Sequence, residues 1–66
     1  MKLKINGKDM DLEDGLTVEA LLVKTGIKPV GIAVELNREI VPKSAHNSRR
    51  LNDGDVLEII KMVGGG

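Results

Sequence analysis

No cysteine, phenylalanine, tyrosine or tryptophan occurs among the 66 residues. Without cysteine there is no disulfide staple, no thiolate metal site and no side-chain thiol nucleophile. Without aromatic rings, nucleic-acid bases have no platform to stack on. Charge of one sign is missing too: ten Lys and Arg balance ten Asp and Glu. That removes the basic field that supplies most nucleic-acid affinity. Long apolar runs are likewise absent. The chain opens Met1-Lys2-Leu3-Lys4-Ile5, an alternation unlike a signal peptide or a membrane span, so the expected location is the cytoplasm. Size adds a further limit. A domain this small hides only ~60% of the surface its unfolded chain exposes, leaving little room for a deep, enclosed substrate cavity, small-molecule pockets running to ~300 Å³ or more. Composition therefore argues against an autonomous enzyme, a nucleic-acid binder and a membrane protein.

The pattern that remains is a run of short elements. Leu3 and Ile5 alternate with Lys2 and Lys4, and Asn6-Gly7 follows as the signal of a tight hairpin turn. Lys8 to Leu12 alternates again, with Met10 and Leu12 expected on the same face as Leu3 and Ile5. Asp14-Gly15 breaks that strand. Thr17 is the expected N-cap of a helix from Val18 to Lys24 or Thr25, with Gly26 as its left-handed end and Pro29 preventing continuation. Ile32, Val34 and Leu36 mark a third strand, Asn37-Arg38 a turn, and Glu39-Ile40-Val41 a return strand stopped by Pro42. Lys43 to Ser48 reads as irregular with room for one helical turn, Arg49-Arg50-Leu51 as a short edge segment, and Asn52-Asp53-Gly54-Asp55 as a turn.

The last strand, Val56 to Val63, carries apolar residues of both parities. Leu57 and Ile59 share one face; Val56, Ile60 and Met62 share the other with Glu58. One helix covers only one face, so Glu58, Ile60 and Met62 are expected to form a docking patch for a partner. Two strands, a helix, then strands ending in a long central one define an α+β chain of the β-grasp type. Its mixed four- to five-stranded sheet would carry one main helix on one face, with the first and last strands adjacent and parallel. The domain is expected to span residues 1–63.

Residues 64–66 are Gly64-Gly65-Gly66. Three glycines lose much backbone entropy on ordering and have no side chains to pack, so they are expected to form a flexible tail. A tail without Cβ atoms can thread a terminal carboxylate through a narrow slot in another protein. The Gly66 carboxylate is a poor electrophile until activated. Attack on ATP makes an acyl-adenylate, and a sulfur nucleophile then displaces AMP, with Mg²⁺ and the phosphate site supplied by the partner. A frayed end is the competing reading of the same three residues.

The chain as a whole resembles the ThiS family, the sulfur carriers of thiamine biosynthesis with a ubiquitin-like β-grasp fold. The matching features are the Asn6-Gly7 hairpin, Thr17-Val18-Glu19-Ala20-Leu21-Leu22, Val34-Glu35-Leu36-Asn37, Ile40-Val41-Pro42, Asp53-Gly54-Asp55 and Gly64-Gly65-Gly66. The resemblance implies that a ThiF-type adenylyltransferase activates the Gly66 carboxylate with ATP and Mg²⁺. A persulfide donor then converts it to a thiocarboxylate, and a ThiG-type thiazole synthase takes the sulfur. Gly64 and Gly65, with Glu58, Ile60 and Met62, would contact these partners. No cofactor or metal would be bound by the chain itself.

The other chemistry-bearing residues read as structural. His46, the single histidine, sits in a polar stretch with no second ligand and is expected to be a solvated loop residue. Lys43, Arg49 and Arg50 read as a solvated edge. Asp53 and Asp55 are turn formers, since the further oxygen ligands of a Ca²⁺ loop are missing. Two alternatives to a thiamine carrier stay open: a carrier for another pathway, such as molybdopterin (the MoaD family) or cysteine, and a non-carrier β-grasp interaction module.

Overall fold

The computed structural model describes residues 1–62. The element order is β1 (Lys2–Ile5), β2 (Lys8–Asp11), α1 (Val18–Thr25), β3 (Ile32–Leu36), β4 (Glu39–Val41), a 3₁₀ turn (Lys43–Ala45) and β5 (Val56–Lys61). Five strands form one mixed sheet in the order β2-β1-β5-β3-β4. β1 runs parallel to β5, and the other neighbours are antiparallel. With α1 on one face, this is the ubiquitin-like β-grasp expected from the element order. Among the described residues no helix is long and apolar enough to cross a membrane.

Local chemistry sets the boundaries. The Thr17 hydroxyl accepts from the Ala20 amide at 3.1 Å, satisfying one of the orphan donors at the start of α1. At the other end Gly26 takes φ 76°, a left-handed conformation that glycine adopts without a Cβ penalty. Its amide closes on the Leu22 and Val23 carbonyls.

The core lies between α1 and the sheet. Val18, Leu21 and Leu22 from the helix pack with Leu3, Ile5, Val34, Leu36, Val41 and Leu57 from the strands, and with Leu51. Burying a side chain of this kind stabilises the fold by ~1.5–3 kcal/mol, so these ten residues supply most of the driving force available to so small a domain.

Met10 lies opposite Leu3 on the shared face, as expected, and the edge position of β2 leaves it 39% exposed. Two expectations are corrected. Arg49-Arg50-Leu51 forms no strand; a single bridge joins Arg50 to Thr17, and Leu51 is buried. His46 is not solvated. It is 6% exposed, and its Nε2 lies 3.1 Å from the Val41 carbonyl oxygen. Because that oxygen only accepts, Nε2 carries the proton. The 3₁₀ turn brings His46 under the start of the helix, where its own carbonyl accepts from the Glu19 amide at 2.9 Å.

Candidate functional site

β5 is the centre of the sheet and its alternation divides two environments. Leu57 is fully buried against α1 and Ile59 is half-buried beside it. Val56, Glu58, Ile60 and Met62 point to the opposite face and are exposed, Ile60 by 43% and Met62 by 59%. The expected placement of Glu58, Ile60 and Met62 together on the face that α1 leaves uncovered therefore agrees with the structure. Gly64, Gly65 and Gly66 lie outside the described residues, as does Val63.

Register extends the patch to residues that the sequence did not single out. In the β3–β5 pairing Ala33 is opposite Ile60 and Glu35 is opposite Glu58. In the β3–β4 pairing Ile40, 69% exposed, is opposite Glu35. The open face thus presents Ile60, Met62 and Ile40 around two facing carboxylates. Like charges directly across a pair of strands are unfavourable, and among the described residues the ion pairs are Met1–Asp14 and Lys24–Glu13, both elsewhere. Arg38 lies beside Glu35 and Glu58 on this face. The signal that would have found Ile40 and Glu35 is parity, but parity becomes informative only once the register between strands is known.

Two asparagines hold β5 in place. Asn37, in the β3–β4 turn, accepts from the Val56 amide through Oδ1 at 3.0 Å and donates through Nδ2 to Asp55 Oδ1 at 3.0 Å. Asn6, in the β1–β2 turn, accepts from the Ile59 amide at 2.8 Å and donates to the Ile59 carbonyl at 3.3 Å. Both side chains stand in for strand backbone where the neighbouring strand has turned away. The strand that leads to the glycines is thereby fixed from both sides.

Among the described residues no group of three or more His, Cys, Asp or Glu is placed to hold a metal ion. His46 is enclosed and bonded to backbone. The carboxyl of Glu13 is held below its ordinary pKa by the hydrogen bond and charge of Lys24, but the pair is a surface contact between a loop and the helix.

A five-stranded mixed sheet with its central strand braced by two asparagines and one helix on a single face defines a small protein of the ubiquitin-like β-grasp kind. The chain belongs to the ThiS family, whose match covers residues 3–66. It is 38% identical to the sulfur carrier protein ThiS of Bacillus subtilis over 97% of this chain and 98% of that protein. The crystal structure of the thiamine biosynthesis protein ThiS from Geobacter metallireducens superposes with a TM-score of 0.89 at 32% identity, covering 100% of both chains. A thiazole synthase from Paramagnetospirillum magneticum is 50% identical over the whole of this chain, which spans 20% of that protein's length.

Proposed function

We propose that the chain is the sulfur carrier of thiamine biosynthesis and that its reactive group is the carboxylate of Gly66. One observation carries this reading: full-length similarity, in sequence and fold, to proteins named as ThiS sulfur carriers. Similarity to part of a thiazole synthase supports the thiamine route over a molybdopterin or cysteine route, because it links a domain of this sequence to formation of the thiazole ring.

The chemistry follows from the terminus. A ThiF-type enzyme, using its own ATP and Mg²⁺, adenylates the carboxylate; pyrophosphate leaves, and the acyl carbon gains a good leaving group. The terminal sulfur of a persulfide attacks the acyl carbon and displaces AMP, giving an acyl disulfide. A second thiol then attacks the donor's sulfur, leaves as a disulfide with it, and frees the thiocarboxylate on Gly66. A ThiG-type thiazole synthase is the acceptor of that sulfur. The chain's own share is recognition. Glu58, Ile60 and Met62 dock on the partner, and Gly64 and Gly65 give the terminus a cross-section narrow enough for a closed active site. Ile60 and Met62 supply apolar contact, and the facing Glu35 and Glu58 favour a cationic group on the partner.

Complementation tests the pathway. Expression of the chain in a bacterium lacking ThiS should restore growth without thiamine, and a chain ending at Gly64 should not. Growth restored equally by both would remove the role of the terminus.

A further inference from the structure

The hydrogen-bonding directions along β5 leave one lane of the sheet open. Residues of even number bond toward β3 and its turn: Val56 with Asn37, and the Met62 amide to the Gly31 carbonyl at 2.8 Å. Residues of odd number bond toward β1: the Leu57 carbonyl accepts from the Asn6 amide at 3.0 Å, and Ile59 is held by the Asn6 side chain. By the same alternation the N–H and C=O of Lys61 point to the β1 side. There the chain has already turned away at Asn6 and Gly7, whose φ angles are 50° and 81°. Among the described residues nothing continues the lane past Asn6.

A groove of about 550 Å³ opens beside that lane, on the helix side of the sheet below the end of α1. Ile27, Ile32 and Ile59 form its half-buried floor and Val30 its exposed rim. Lys28 and Lys61 also line it, both exposed, and neither is ion-paired within the described residues. Among the described residues no acidic side chain lines the groove. An unpaired strand edge is a template for a further strand, and strand addition takes its affinity from backbone bonds and its specificity from alternate side chains. Two lysines beside an apolar floor fix what those side chains are.

We propose that this lane is a strand-addition site for an extended acidic segment of a partner protein. The segment runs beside β5 past Asn6 and exchanges hydrogen bonds with the Lys61 backbone. Its apolar side chains enter the groove over Ile27 and Ile59, and its carboxylates lie against Lys28 and Lys61. The site is separate from the outward patch of Glu58, Ile60 and Met62, because it uses the other face and the edge of the same strand. The identity of the probes below rests on the carrier reading.

The test is amide hydrogen exchange on the full chain, alone and saturated with either a ThiF-type adenylyltransferase or a stand-alone thiazole synthase. In one of the two complexes the Lys61 amide should slow by at least tenfold, while the Met62 amide, already bonded to Gly31, is protected in both free and bound states. The double variant Lys28→Glu, Lys61→Glu should raise the Kd for that enzyme at least tenfold with an unchanged Tm. Complexes that leave Lys61 exchange unaltered overturn the inference, and sulfur transfer to Gly66 in the same samples would show that the carrier reading survives it. Failure to bind either enzyme overturns both. Protection of Lys61 in the dilute free chain would assign the lane to the chain's own terminus, and protection that grows with chain concentration would assign it to a second copy; either result also overturns the proposal.

Discussion

The side chain of Asn6 hydrogen-bonds both backbone groups of Ile59, accepting from the amide at 2.8 Å and donating to the carbonyl at 3.3 Å. These residues are 53 positions apart in the chain. The contact joins the tip of the first hairpin to the strand that leads toward the glycines. Asn6 also sits at φ 50°, a region asparagine tolerates better than most residues.

Replacing Asn6 should therefore separate two effects. Asn6→Gly keeps the turn but deletes the clamp, and should cost ~0.5–1.5 kcal/mol, the net scale of a solvent-exposed hydrogen bond. Asn6→Val adds a conformational penalty for a β-branched residue at positive φ and should cost more than Asn6→Gly. Urea unfolding of the two variants reads the difference directly. Equal stability of Asn6→Gly and the parent chain would mean that the clamp contributes nothing.

Core truncation gives a second check. Leu21 is fully buried, so Leu21→Ala should destabilise by ~2–5 kcal/mol. Ile59 is only half-buried, and Ile59→Ala should fall at the lower end of that range. Val23, 76% exposed on the same helix, should tolerate alanine with a change within ~0.5 kcal/mol.

His46 should behave as a structural residue. His46→Ala removes the donor to the Val41 carbonyl and leaves a void under the start of α1, with an expected loss of ~1–3 kcal/mol. Partner binding and sulfur loading of the folded fraction should be unchanged. A variant of parental stability with impaired loading would instead place His46 in the function.

Acid sensitivity has one assignable source. Lys24 lowers the pKa of Glu13 in the folded chain, so the pair's contribution is present above the unfolded carboxyl pKa. It is lost as pH falls through the depressed folded value. Glu13→Gln should lower Tm slightly at neutral pH, and the gap to the parent chain should close in acid and in high salt. Both partners are exposed, so the effect is small. A gap that widens in acid would contradict the assignment.

Much of the fold was legible because its signals are local. The alternation of Leu3 and Ile5, the Asn6-Gly7 turn, the Thr17 cap and the Gly26 stop each lie within a few residues of the structure they specify. The parities along Val56–Met62 likewise separated the buried from the open face. What escaped depends on contacts between distant segments. His46 in a polar stretch gives no sign of burial, because the pairing of its carbonyl with the Glu19 amide spans the middle of the chain. Leu51 looked like an edge residue because its amide partner, the Leu16 carbonyl, is far away in sequence. Asn6 and Asn37 read as ordinary turn residues; their bonds to β5 follow from the strand order alone. Glu35 and Ile40 joined the open face only through register.

The most direct test of the central claim is the intact mass of the chain after incubation with ATP, Mg²⁺, a ThiF-type adenylyltransferase and a persulfide donor. The account predicts a gain equal to one oxygen exchanged for sulfur at Gly66, and no gain in a chain lacking Gly65 and Gly66. An unchanged mass, with the same enzyme shown to load another ThiS-family protein, would contradict it.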